Sequence, residues 1–592
     1  MMRRQSGIHP GGRRFAKLRS AFGRGPLPTL VLPLLGIGLD LGCRMRVGGS
    51  VRPSNWSLQD AGVYLLGLLW SLGSWLLVAE LLARLTRARP WLRRALAAGL
   101  GLCLGGLLVA TLTYREELWQ TPSWQVLRWA LGEPELTSQL GRWILGPFHL
   151  LGVLACAGAC ALVLGRPAAP TPLPRAARGR VAAGLGGAAY VAVSVLTLGT
   201  AGFQDPLPLD ANAAAAFALF GLARTTGEKH LVVPVRPALP SPPDGPRPNV
   251  LLILHASLRA DAQFPDLGYH DAVPTREVAP FAAAMVGRRD EGYFAFVRAR
   301  TNSTATESSV PAILSGVDPG GDPHAYGRVT SLWAMGKAAR ASTFLFAAVD
   351  WSFGHFDEYF LDRNVDVQRT GRELGAELVG NGGVDDALVT DAVIAQLRLL
   401  AAARQPFVGV VHFNATHAPY WAGPEAAGAP RAGIAGYRLA ARYLDRQLER
   451  LVGALAQLGL AQSTVVVSTS DHGDVLDPHH GVQRLGAFYE YALRVPIWIR
   501  VPPRLLVSRP DWARNLDAWN GRNVQNLDLL PTLWDVLELG DPAVLRASAP
   551  AGRSLLRPVP AGADMISGQS TCAFRAWQLD GFFLVAGQVK VI

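Results

Sequence analysis

The stretch "STVVVSTSDHGDVLDPHHG", residues 463–481, sets a run of β-branched residues directly against a loop with three aspartates and three histidines. Val465, Val466 and Val467 in succession read as a strand buried on both faces. The loop then presents Asp471, His472, Asp474, Asp477, His479 and His480. A polar connection after a core strand accounts for any one of them. A metal site accounts for their concentration, because Asp and His are oxygen and nitrogen ligands for zinc and similar divalent ions. The crevice beyond the carboxyl ends of parallel strands is also where open α/β sheets bind ligands.

Further strand-like runs lie on either side: "VLLIL" (250–254), "STFLFAAV" (342–349), "PFVGVVHF" (406–413) and "VPIWIRV" (495–501). Amphipathic stretches such as 386–403 and 438–459 fall between them. Strands alternating with helices predict a mostly parallel sheet with helices on both faces, so residues 249–592 are expected to form a three-layer α/β/α domain. Ahead of it, 203–248 ends in the proline-rich "RPALPSPPDGPRPN" and reads as an external linker.

The remaining 1–202 differ in character. Mean hydropathy over all 592 residues is +0.19, with only 17% charged residues, and the apolar excess sits before residue 203. Stretches at 27–43, 62–83, 95–113, 143–165 and 181–202 approach the ~20 residues that span a bilayer, which predicts a five-span membrane domain. The first is the shortest and carries Pro28, Pro33 and Asp40. Arginines crowd the N-terminus, the loop 84–94 and the loop 166–180. The positive-inside rule therefore places the N-terminus in the cytoplasm and the C-terminal domain outside, periplasmic or extracellular, in a bacterial-type inner membrane. The net charge of +12 belongs to this orientation, and no nucleic-acid partner is expected. Trp119, Trp124 and Trp129 read equally as an interfacial segment or a buried loop helix. Four of the five cysteines lie in or beside the apolar stretches; Cys572 alone falls in the outer domain, which excludes an internal disulfide there.

Three more segments place reactive residues at strand ends or helix starts: "LILHASLRAD" (252–261), "RTNSTATESSVPAILSG" (300–316) and "VHFNATHAPY" (411–420). With "SDHGD", "YALRVPIWIRV" and "NLDLLPTLWDVLEL" they occur in an order that resembles the alkaline phosphatase–sulfatase superfamily. The branch that looks most similar is the membrane-anchored phosphoethanolamine transferases and lipoteichoic acid synthases. That resemblance covers 249–592 and implies an alkaline-phosphatase-like fold. It also implies a metal-dependent transfer of a phospho-head-group from a membrane lipid donor to an envelope glycolipid or glycan acceptor.

Carried over by motif, the resemblance makes Thr306 the nucleophile, since Val310 and Pro311 follow it at the family's offsets. Asp471, His472 and Thr306 become ligands of a divalent metal, zinc or alternatively manganese. His417 and His480 become binders of the substrate phosphate or leaving group, with His480 preferred over His479 because Gly481 follows it. Zinc would lower the Thr hydroxyl pKa and polarise a phosphoryl oxygen. Where the family places an acidic metal ligand, three residues before Arg259, this chain has Ala256. Asn302 and Ala312 stand where the branch has paired cysteines. The Cys/Ser-x-Pro-x-Arg motif of sulfatases is absent near Thr306. Besides the transferase, the residues leave open a degenerate family member that binds lipid or glycan without catalysis, and a sulfatase-like hydrolase or phosphodiesterase.

Overall fold

A computed structural model of the chain describes residues 31–46, 52–118, 147–166, 186–192 and 194. From 236 to the end it describes all but 240–244, 246, 265–266, 268–274, 320–322, 353–355, 375–377, 380–382, 432, 477–487, 541–550 and 570–581. The chain divides into two compact units, one comprising 1–228 and one beginning at 229.

In the first unit, helices Val31–Arg46, Leu58–Leu85, Pro90–Leu118 and Pro147–Val163 fall on the first four apolar stretches, and residues 186–192 are helical within the fifth. Among the described residues, Leu58–Leu85 and Pro90–Val109 are long and apolar enough to cross a membrane; Leu150–Val163 is a shorter apolar helix. Ser57 caps the second helix in a reciprocal box: its hydroxyl accepts from the Asp60 amide while Asp60 accepts from the Ser57 amide. The charges of the first stretch are neutralised in place. Asp40 and Arg44 are both buried and pair at 2.8 Å, one helical turn apart, and the Tyr64 hydroxyl donates to Asp40 at 3.1 Å. An apolar segment can hold an ionisable pair when each charge is met in this way. The tryptophans at 119, 124 and 129 and the fifth stretch beyond residue 194 lie outside the described residues.

The second unit is built on a seven-stranded sheet. Its strands are β1 (Asn249–His255), β2 (Tyr293–Phe296), β4 (Ser342–Ala347), β5 (Val367–Thr370), β6 (Phe407–Phe413), β7 (Thr464–Ser470) and β8 (Ile497–Arg500), in the order β2-β8-β7-β1-β6-β4-β5. The five strands β7, β1, β6, β4 and β5 run parallel, and β8 and β2 close one edge antiparallel. The period of two sorts the side chains into two cores. Val250, Leu252 and Leu254 of β1 join one, with Val310, Ile313 and Trp534; Leu251 and Ile253 join the other, with Val393, Leu444 and Leu448. The helices expected at 386–403 and 438–459 are Asp386–Ala403 and Gly433–Gln457, packed on the second core.

β1 sits between β6 and β7, so the loops leaving the carboxyl ends of all three adjoin one another. The alternating pattern did not mark the edge strands β2 and β5, nor two further features. β3 (Ala299–Arg300) pairs with β9 (Val524–Gln525), and β10 (Met565–Gln569), β11 (Phe582–Ala586) and β12 (Val589–Val591) form a separate antiparallel sheet.

Candidate active site

Asp471 and His472 are the first residues beyond β7, and both are buried. Thr306 opens the helix Thr306–Ser315. Its hydroxyl donates to Asp471 Oδ2 at 2.8 Å and stands 3.0 Å from His472 Nε2, while Asp471 Oδ2 and His472 Nε2 are 3.4 Å apart. Three donor atoms from positions 165 residues apart therefore converge, as the resemblance implied. Ala305 provides no capping side chain, so the positive end of the helix faces Thr306 and what binds there.

The surroundings hold each donor in one state. His472 Nδ1 lies 2.7 Å from the Gly473 carbonyl, which can only accept. The proton is thus on Nδ1, and Nε2 carries a lone pair. Gly473 itself leaves no room for a side chain, because a Cβ there would come within 2.0 Å of the Tyr491 carbonyl oxygen. Asp471 Oδ1 accepts from the Ser257 amide at 2.8 Å and the His472 amide at 2.7 Å. Burial pushes the Asp471 carboxyl upward, but His472, the Ser257 amide, His412 and the Thr306 hydroxyl together hold it below the ordinary value. Ser257 reaches Asp471 from a left-handed conformation (φ 60°), unusual for a residue with a side chain and a sign of local strain at a site.

The convergence of the Thr306 oxygen, Asp471 Oδ2 and His472 Nε2 fits a divalent cation. Two ligands of a tetrahedral zinc at ~2.0–2.1 Å stand roughly 3.3 Å apart, close to the 3.4 Å between Oδ2 and Nε2. Thr306, Asp471 and His472 would fill three positions and leave the fourth open.

Among the described residues, the acidic ligand that the resemblance leads one to expect is missing in space as well as in sequence. Ala256 is 3% exposed, and among the described residues no group of three or more His, Cys, Asp or Glu side chains is assembled for a metal. His255 does not replace it. β1 remains paired through His255, whose Nε2 is 2.9 Å from the Ser468 hydroxyl. Burial and the nearby His412 push the His255 imidazole down to about 3 against the pull of Asp471, so the ring is neutral. His412 is buried too, with neither nitrogen bonded, and burial lowers it to about 4 although Asp471 pulls it upward.

His417 lies in the turn after β6, half-buried, with Nδ1 2.7 Å from the Ala418 carbonyl. Its neighbour Thr416 donates to the Ala256 carbonyl at 2.7 Å, tying the turn to the end of β1. His480 and His479 lie outside the described residues. Sequence reasoning missed Asp386, whose carboxylate holds this turn (below). The fixing of the Thr306 segment by Asn302 was missed too: its side chain accepts from the Leu527 amide and donates to Gln525, and its carbonyl accepts from the Gln569 amide. Asn302 lies in the same quoted segment as Thr306, but its partners Gln525, Leu527 and Gln569 are more than 200 residues away, and the partners of Asp386 follow another strand, so pattern alone had no means of finding either role.

Residues 248–539 match the Sulfatase family model. Among curated proteins, arylsulfatase K of Bos taurus is 31% identical over 125 residues, 21% of this chain and 20% of the relative. Iduronate 2-sulfatase of Homo sapiens is 41% identical over 68 residues, 12% of each. The chain thus spans a fifth or less of the length of these relatives. Among solved structures, the integral membrane protein lipooligosaccharide phosphoethanolamine transferase A of Neisseria meningitidis aligns with a TM-score of 0.57 at 14% identity, covering 90% of this chain and 99% of that one.

Proposed function

From a sulfatase-family domain of alkaline-phosphatase-like fold at 248–539, we propose a membrane-bound, metal-dependent phosphotransferase. It moves a phospho-head-group such as phosphoethanolamine or phosphoglycerol from a membrane lipid to an envelope glycolipid or glycan through a phospho-Thr306 intermediate. The observation that carries this reading is the Thr306 hydroxyl at a helix N-terminus, 2.8 Å from Asp471 and 3.0 Å from His472.

The Thr306 hydroxyl gives its proton to solvent as the Thr306 Oγ1–P bond forms and the donor P–O bond breaks, Asp471 Oδ2 being one of the atoms that would hold the metal. His417, and His480 by resemblance, meet the phosphate or protonate the departing alkoxide. An acceptor hydroxyl then attacks the same phosphorus and gives its proton to the histidine deprotonated in the first step, while the Thr306 Oγ1–P bond breaks and Oγ1 regains a proton from solvent. A bound zinc, or manganese, would polarise the phosphoryl oxygen and favour the Thr306 alkoxide. Apolar helices at 58–85 and 90–109 support a membrane protein, and the five apolar stretches of the sequence with their arginine asymmetry support five spans and an external catalytic domain.

The test is peptide mass spectrometry of the full-length chain after incubation with a phosphatidylethanolamine donor. A phosphoethanolamine adduct is expected on Thr306 and lost in Thr306→Ala, with turnover down roughly 10³-fold or more. Thr304→Ala, at a buried hydroxyl bonded to nothing, keeps the adduct. Modification of Thr304 or Ser303 instead overturns the assignment.

Ala256 favours a second reading, a non-catalytic member that binds the same lipid or glycan. In that case the wild-type chain retains the lipid but forms no adduct with zinc or manganese supplied.

A further inference from the structure

Asp386 begins the helix Asp386–Ala403, is 1% exposed, and forms no ion pair with Lys, Arg or His among the described residues. It is not needed to cap its own helix. Asp385 does that, its carboxylate accepting from the Ala387 amide at 2.9 Å. Asp386 turns instead to another element. Its Oδ1 accepts from the Asn414 amide and its Oδ2 from the Ala415 amide, each at 2.9 Å. These are the first two residues after β6. The Asn414 carbonyl in turn accepts from the His417 amide at 2.9 Å, and Thr416 donates to the Ala256 carbonyl. The turn carrying His417 is therefore held between a buried carboxylate on one side and the end of β1 on the other.

A carboxylate buried without a cation is costly to the fold. Burial and the like charge of Asp385 push the Asp386 carboxyl up to about 7 against the two amides that favour the anion. Because the folded value lies above the unfolded 3.8, ionisation of this group lowers fold stability as pH rises through that range. A residue that costs stability while fixing both amides of a site turn has its use in the turn.

We propose that Asp386 is a positioning residue, setting the His417 imidazole where a substrate phosphate or leaving oxygen meets it. The inference rests on the substrate role given to His417 above, and its test separates the two.

The full-length protein in detergent–lipid micelles is treated with diethyl pyrocarbonate, and the modification rate of His417 is read by peptide mass spectrometry, without reference to activity. Asp386→Asn keeps shape but turns one acceptor into a donor facing an amide. It is expected to change the His417 rate several-fold while the melting temperature at pH 8 stays equal to wild type or rises. With fluorescent phosphatidylethanolamine as donor, kcat falls roughly 10–100-fold, and the loss is not added to that of His417→Ala in the double variant. An unchanged His417 rate overturns the proposal, whether or not the wild type turns over. So does a lowered melting temperature with normal kcat. If the His417 rate moves but no variant, wild type included, forms an adduct, the positioning role stands and the transferase reading falls.

Discussion

Ala256 is the residue on which the chemistry turns. Thr306, Asp471 and His472 provide three converging donors, and Ala256 presents a methyl group where the resemblance leads one to expect an acid. His255, next in the chain, is committed to Ser468 and neutral. A three-donor zinc centre with an open position is workable, but it holds its metal less tightly than one with a further anionic ligand. Ala256→Glu is therefore expected to raise zinc content and affinity, measured by elemental analysis and competition with a chelator. Each tenfold gain corresponds to about 1.4 kcal/mol. Unchanged affinity means the shell is already complete, and weaker binding means the glutamate crowds it. Asp471→Ala is expected to abolish binding in the same assay.

At the scale of elements, the C-terminal sheet and the helix Glu490–Leu493 support the Thr306 segment from outside the parallel sheet. The β10 amide of Gln569 donates to the Asn302 carbonyl at 2.9 Å, four residues before Thr306. Gly568 permits this approach, since a Cβ there would lie 2.4 Å from the Asn302 oxygen and 2.5 Å from the Phe583 ring. Gly568→Ala is expected to destabilise the domain by about 1–3 kcal/mol and to lower Thr306 adduct formation, checked by denaturant unfolding beside the mass-spectrometric assay.

Glu490 joins Arg300, Arg494 and Lys590 by ion pairs at 2.7, 2.7 and 3.0 Å. Burial raises its carboxyl, but Arg300 and then Lys590 outweigh this and lower it from 4.5 to about 2. A depressed folded value means the stabilisation is complete above pH 4.5 and is lost as pH falls toward 2. Glu490→Gln is expected to cost on the order of 2 kcal/mol at pH 7, discounted for partial exposure, and to flatten the acid limb of a stability–pH curve between those values.

For the molecule as a whole, orientation is the decisive property. A periplasm-active reporter fused after Gly202 is expected to be active, and one fused within 84–94 inactive, as the arginine-rich loops require. Activity in 84–94 with silence after Gly202 means that the orientation is reversed or that one of the first two stretches does not cross, the helix Val31–Arg46 of the first holding the buried Asp40–Arg44 pair. Silence at both means that one of the three later stretches does not cross.

The sequence by itself determined the parallel strands β1, β4, β6 and β7, the strand β8 and the main covering helices, but not the parallel edge strand β5. The features it determined are local. A β-branched run and a 3.6-residue period are each written within a few consecutive residues. The antiparallel edge β8–β2, the pairing of β3 with β9 and the sheet β10–β12 join segments far apart in the chain, and no local pattern states which partner a strand takes. Tertiary structure also decided the roles of neighbouring residues. His255 and Ala256 are adjacent, yet continued pairing of β1 turns His255 to Ser468 and leaves Ala256 beside the turn that carries His417. Asp385 and Asp386 are two acids at one helix start. Only packing against β6 assigns the first to capping and the second to the amides of Asn414 and Ala415, because a hydrogen bond depends on distance in space and not on separation along the chain.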